Sequence, residues 1–177
     1  RSQTVTGVQT CALPICQLAR CYREGRYGEA LALARRVLRM REEALGADHP
    51  EVATSVNNLA ELHRLVGQYE EAERLHRRAL GLRERVLGPE HPAVAASLSN
   101  LAGVYKERGA VRRSLPLLER ALGIREASLG PDHPELALSL NNLAELHRAL
   151  GALRRAEPLY ERALGILKGA GCTVDEA

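Results

Sequence analysis

Histidine offers this chain its most obvious chemistry. Six histidines occur in 177 residues, and three of them precede proline: His49-Pro50, His91-Pro92 and His133-Pro134, each 42 residues from the next. Such recurrence invites a metal reading. A zinc site, however, needs three or four ligands converging at about 2.0–2.3 Å, and residues one period apart point the same way from separate turns. The pairs fit helix initiation better. Proline suits the first helical position, Asp48 or His49 stands where a capping side chain is wanted, and Glu51 puts negative charge in the first turn. His63, Tyr105 and His147 share a second slot, and His76, Leu118 and Tyr160 a third. His63 and His147 are expected to pack as half-buried rings with a polar tip, as a tyrosine would. Cys11, Cys16, Cys21 and Cys172 have no ligand spacing and no disulfide framework, so reduced thiols are expected. No G-x-x-x-x-G-K-[ST], G-x-S-x-G, H-E-x-x-H or C-x-x-C is present. The reading is of a chain that is not an enzyme, with no catalytic residue, no metal and no cofactor.

Asparagine is the other recurring polar group. Asn58, Asn100 and Asn142 hold one slot in three successive units, preceded by Asn57 and Asn141 in two of them. Asparagine is a poor helix former, yet its amide offers both a donor and an acceptor, which suits gripping the backbone of an extended peptide. The alternative is an Asn that bonds a neighbouring helix or loop. On the same stripe stand Glu61 and Glu145, and a row of Arg64, Lys106 and Arg148. Three net hydrogen bonds of about 1 kcal/mol each supply roughly two decades of affinity. The remainder must come from side-chain pockets and from the basic row, which points to a mixed or mildly acidic peptide.

The elements that would position these residues repeat strictly. Leu45-Gly46, Leu87-Gly88 and Leu129-Gly130 keep the 42-residue step, as do Gly67, Gly109 and Gly151. A fixed period of this length signals stacked repeats, and each unit reads as two helices. The first starts at His-Pro, turns Val52, Val56, Leu59, Ala60 and His63 to one face, and ends at Gly67 as a left-handed cap would. The second runs from about Tyr69 to Val86, with Ala72, Leu75, His76, Ala79, Leu80 and Val86 inward. Gly81, Gly123 and Gly165 lie inside second helices, where glycine costs roughly 1 kcal/mol against alanine; close backbone approach and plain duplication both explain them. Pro116 and Pro158 fall early in second helices, where a first-turn bond or a mild kink is the expected cost. Upstream, Leu18 to Gly25 is one residue shorter than Leu59 to Gly67, so a truncated first helix is expected from about Cys16. Its partner, from Tyr27 to about Ala44, turns Ala30, Leu31, Ala34, Val37 and Leu38 inward.

The pattern NNLAELH…GQYEEAERLHRRAL, from Asn57 to Leu80, resembles the tetratricopeptide repeat (TPR). The 42-residue step with LG-x-[DE]-HP resembles the kinesin-light-chain-like variant of that repeat. The likeness covers about Leu18 to Leu167. It implies an all-α fold, a right-handed α-solenoid of antiparallel helix pairs. It also implies a non-enzymatic scaffold that binds a peptide segment of a partner in a concave groove lined by first helices. The groove residues it implies are Asn57, Asn58, Glu61, Arg64, Asn100, Lys106, Asn141, Asn142, Glu145 and Arg148. The alternative implied is a sensing or oligomerising repeat module of a larger bacterial regulatory protein.

The expected organisation is a segment 1–15 that is non-native or disordered, a solenoid over 16–171, and a disordered tail at 172–177. The solenoid divides into a partial repeat 16–44 and repeats 45–86, 87–128 and 129–171. Residues 5–15 resemble a translated sequencing adapter and carry no signal-peptide pattern. The net charge of +3 is small and its charges are interleaved, which argues against nucleic acid or a membrane surface as partner. No apolar run reaches the length of a membrane span, and a cytoplasmic setting is expected. Leu167-Lys168-Gly169-Ala170-Gly171 replaces the usual end of a second helix, so end-to-end self-association through an uncapped last repeat is a further expectation.

Overall fold

The computed structural model describes the backbone of residues 4–170 and the side chains of residues 14–170. Among the described residues there are eight helices: α1 (Thr4–Arg23), α2 (Tyr27–Leu45), α3 (Pro50–Leu65), α4 (Tyr69–Leu87), α5 (Pro92–Glu107), α6 (Val111–Leu129), α7 (Glu135–Ala149) and α8 (Leu153–Gly169). They fall into two compact units, residues 1–89 and 90–177, with four helices in each. The expected tail at 172–177 lies outside the described residues.

The helix pairs are antiparallel, as their cross-helix bonds show. Asn57 meets His76 across the turn at Gly67, and Ser114 donates to the Ala102 carbonyl across the turn at Gly109. The first helices α3, α5 and α7 are each started by a histidine. The imidazole Nδ1 of His49, His91 and His133 accepts from the backbone N–H two residues on, at 3.2, 3.1 and 3.3 Å. That bond satisfies one of the donors every helix start leaves orphaned. The expectation between Asp48 and His49 resolves to His49, while Asp48 pairs with Arg85 at 2.6 Å.

The reversal at Gly67 needs glycine. Its φ is +77°, a left-handed value that a β-carbon disfavours. With the chain so turned, the Gln68 N–H reaches back to the His63 carbonyl at 2.8 Å, and Arg26, Ala110 and Ala152 make the same bond to Cys21, Tyr105 and His147. This shared bond fixes the register of the first unit and corrects the sequence reading. Cys21 occupies the His63 slot, so Leu18 stands at the slot of Ala60, not that of Leu59. The described α1 is 20 residues long and begins at Thr4 rather than near Cys16.

The core is made of alanine and aliphatic side chains. Val52, Val56, Leu59, Ala60 and His63 are all buried, as are Ala30, Ala34, Val37 and Leu38. In α4 the expectation holds for Ala72, Leu75, His76 and Ala79 and fails further along. Leu82 is buried, Leu80 is only half-buried and Val86 is exposed. The pairing of Asn57 with His76 puts residue 86 opposite residue 47, ahead of the start of α3, so α3 offers nothing there to cover it. His63 and His147 are also deeper than expected, at 2% and 5% exposed. The His63 ring is tied to Gln68 Oε1 at 2.6 Å, and Tyr105 is covered by the Arg113 guanidinium 5.9 Å above its ring.

Two stacking contacts recur that the sequence reading did not single out. Arg41 of α2 bonds Ser55 of α3 at 2.8 Å, and Arg125 of α6 bonds Ser139 of α7 at 2.9 Å, two periods on. Arg78 reaches back to Glu42 from one second helix to another, and Arg162 does the same to Glu126. Pro116 and Pro158 each stand sixth in their helix, past the first turn, so each removes one internal backbone bond.

The glycines inside second helices have open space around them. A β-carbon at Gly81, Gly123 or Gly165 meets nothing within 4 Å, whereas Gly46 and Gly130 hold φ near +85° to +88° with ψ near +160°. That region is essentially restricted to glycine. Gly81→Ala, Gly123→Ala and Gly165→Ala are therefore each expected to stabilise by up to about 1 kcal/mol. Gly130→Ala is expected to destabilise by about 1–3 kcal/mol. Urea midpoints of the four variants check the opposite signs.

Candidate functional site

The stripe expected to line a groove is accessible in both units. In the first, Thr54 and Asn58 are exposed while Asn57, Glu61 and Arg64 are half-buried. In the second, Asn142, Lys106, Leu138 and Arg148 are exposed while Asn100, Asn141, Gly103 and Glu145 are half-buried. The helices present this face because their apolar stripe, at helical spacing, is committed to the partner helix.

The asparagines separate into two kinds. Asn57 serves the fold: its Oδ1 stands 3.2 Å from Nδ1 of His76, tying α3 to α4. Asn58 and Asn142 make no side-chain hydrogen bond among the described residues, and each borders a cleft. Asn58 lines a cleft of about 430 Å³ between α1 and α3, whose other walls are Ile15, Leu18, Ala19, Tyr22, Arg23, Glu61 and Leu62. It also borders a smaller one floored by Ala34 and Val37. Asn142 borders a cleft of about 210 Å³ between α5, α6 and α7.

The basic row is smaller than its residue types suggest. Arg64 is held by Glu61 at 2.9 Å, and Arg148 by Glu145 at 2.7 Å. These arginines hold both carboxyls below the usual carboxylate range, with the Tyr160 hydroxyl adding to the effect at Glu145. Both arginines are thereby neutralised on their own helix, whereas Lys106, the third member of the row, makes no hydrogen bond or ion pair among the described residues. Among the described residues no cluster of three or more His, Cys, Asp or Glu side chains could hold a metal ion.

The sequence model of the tetratricopeptide repeat matches residues 10–85, 55–127 and 111–169. The chain belongs to the tetratricopeptide repeat family. No curated protein matches it. Among solved structures, the chain is 26% identical to BtubC (BKLC) from P. vanneervenii, with a TM-score of 0.84 over 94% of this chain and 66% of that one. It is 28% identical to a kinesin light chain candidate of nearly identical TPR-like repeats from Podosopora anserina, with a TM-score of 0.78 over 91% of this chain and 75% of that one. Aspartyl phosphate phosphatase F from Bacillus subtilis shares the fold alone, at 16% identity and a TM-score of 0.80 over 93% of this chain and 42% of that one. The chain thus spans just under two thirds of BtubC. Its repeats are of the kinesin-light-chain-like kind, in a fold that generally mediates protein–protein interaction.

Sequence reasoning missed the contribution of α1 to this site. Leu18 and Tyr22 wall the larger cleft, Tyr22 at a groove slot that the later TPR units fill with a basic residue. The signal was the register of Gly25 with Gly67, which puts Tyr22 in the slot of Arg64.

His76 carries the site's one large titration effect. The ring is fully buried, and among the described residues its Nε2 has no hydrogen-bond partner. Burial pushes its pKa down from 6.5 to about 4, against an opposing pull from Glu61 and with smaller help from Arg64 and Arg83. Because the unfolded chain takes up this proton first, stability rises with pH across the interval between the two values and is level above it. The full interval corresponds to about 3 kcal/mol. His76→Leu copies the residue of the next repeat, Leu118. Denaturation midpoints at pH 7.0, 5.5 and 4.5 are expected to fall steeply for the wild type and clearly less for the variant.

Proposed function

We propose that this TPR chain is a non-enzymatic interaction scaffold, cytoplasmic in setting, whose first-helix faces hold an extended peptide segment of a protein partner. The observation that carries the reading is the pairing of an unengaged, exposed Asn with a mainly apolar cleft in each unit: Asn58 in the first and Asn142 in the second. An amide fixes a peptide backbone through its donor and acceptor, while a neighbouring cleft takes a side chain and discriminates. Asn57 is not part of this reading, because its amide is spent on His76. Asn100, Asn141, Glu61, Arg64, Glu145 and Arg148 border the face as shape and local charge balance rather than as grips.

A second reading, a repeat module within a larger regulatory protein, draws on the same fold. It is favoured by the 42% share of phosphatase F that the chain spans. The full-length gene decides between them.

Peptides selected on the purified chain test the proposal. Asn58→Ala with Asn142→Ala is expected to weaken selected peptides by about 30–100-fold with little change in helicity or melting temperature. Equal affinity for the double variant and the wild type by fluorescence anisotropy would remove the assignment.

A further inference from the structure

The three complete repeats are not equivalent on their first-helix face, and the middle one departs in a consistent direction. The slot of Glu61 and Glu145 holds Gly103. The slot of His76 and Tyr160 holds Leu118. The slot of Arg64 and Arg148 holds Lys106. In the outer repeats the glutamate neutralises its own arginine and lies against a polar ring from the second helix, as Glu145 does with Tyr160. In the middle repeat both the carboxylate and the polar ring are gone.

Three consequences meet at one place. Loss of the Glu side chain leaves room: a β-carbon on Gly103 meets nothing within 4 Å, and the cleft of about 210 Å³ opens there with Leu118, Ala102 and Leu146 as apolar wall. Lys106 loses the acid three residues upstream, and among the described residues no hydrogen bond or ion pair engages its ammonium. Glu145 feels its charge only weakly, being turned to Arg148 and Tyr160. Finally, the Ser99 hydroxyl on the same wall is buried with no hydrogen-bond partner among the described residues, and the Asn142 amide stands exposed at the rim. The cavity falls below the size that holds a drug-sized ligand and suits one side chain.

We propose that this cleft is a specificity pocket for one aliphatic side chain of the bound peptide, adjacent to a residue whose carboxylate binds Lys106. The proposal rests on the peptide-scaffold reading and deepens it. The aliphatic group covers Leu118 and Leu146. The neighbouring carboxylate supplies the charge that Gly103 took away, since an ammonium offers three donors and no acceptor and charge-assisted bonds are the stronger kind. Ser99 and Asn142 are left to meet the peptide backbone beside it. Recognition thus centres on the middle repeat because its own acid is absent.

Selection of a phage-displayed random dodecapeptide library on the full 177-residue chain tests this, followed by anisotropy with the enriched peptides. Enriched sequences are expected to carry Leu, Ile, Val or Met within two residues of Asp or Glu. Changing that acid to its amide is expected to weaken binding about tenfold on the wild type and hardly at all on Lys106→Met. Gly103→Glu rebuilds the side chain of the outer repeats and improves helix propensity, so its expected loss of tenfold or more cannot come from unfolding. Binders without the aliphatic–acidic pair, or indifferent to Gly103→Glu yet sensitive to Asn58→Ala, would overturn the pocket and leave the scaffold reading standing. No binders, or binders indifferent to both substitutions, would overturn both.

Discussion

Small side chains where helices cross are the constraint on which this structure depends. The chain has no Phe and no Trp, and Tyr105 is the one tyrosine buried among the described residues, so large aromatic rings do little to hold the hairpins apart. Instead Ala60, Ala102 and Ala144 on first helices, and Ala79, Ala121 and Ala163 on second helices, are at most 2% exposed. Alanine lets backbones approach until leucines on either side interlock at native packing density. Ser114 shows how narrow the tolerance is. It stands where the sister repeats have Ala72 and Ala156, and its hydroxyl is accommodated only by donating to the Ala102 carbonyl at 2.8 Å. A buried hydroxyl without such an acceptor would cost about 1–3 kcal/mol.

Close crossing also explains why polar stacking contacts take the form they do. Apolar clusters run between hairpins as well as within them, joining Leu38 to Val52 and Val56 in one unit and Leu122 to Leu136 and Leu140 in the other, and the polar contacts beside them are long, amphipathic and arginine-rich. Arg41 and Arg125 lay their stems along the next first helix and end on Ser55 and Ser139. Arg125 loses solvent in doing so, and burial holds its pKa below the usual arginine value. Arginine tolerates that better than lysine because its guanidinium is more weakly hydrated and reaches several acceptors at once.

Periodicity made much of the fold legible, and the same periodicity hid parts of the site. The 42-residue step and the His-Pro, Leu-Gly and Gly67-type signals located the second to eighth helices closely, because each signal is a local backbone requirement. The burial of α4 was misjudged at Val86 because a helical wheel knows nothing of where the partner helix begins. The first helix was misregistered at Leu18 because a leucine was matched to a leucine, while the chain obeys the hydrogen bond from Arg26 to Cys21. Among the asparagines, identical residue types at adjacent positions, Asn57 and Asn58, have opposite fates. One step along a helix is a turn of about 100°, enough to exchange a buried imidazole for open solvent. No single-residue propensity distinguishes them.

For a repeat protein, chemistry is therefore to be sought where the repeats disagree. Much of the agreement between repeats reflects what a hairpin needs in order to stack: the capping histidine, the reversing glycine, the crossing alanine. Disagreement is free of that demand. Glu61, Gly103 and Glu145 sit at one slot and pose one structural problem, and the fold survives all three answers, so that slot is not fixed by packing. His76, Leu118 and Tyr160 vary in step with it: a polar ring accompanies each glutamate, and leucine accompanies the glycine. Two facing positions that change together alter the polarity of a cleft while leaving its walls in place.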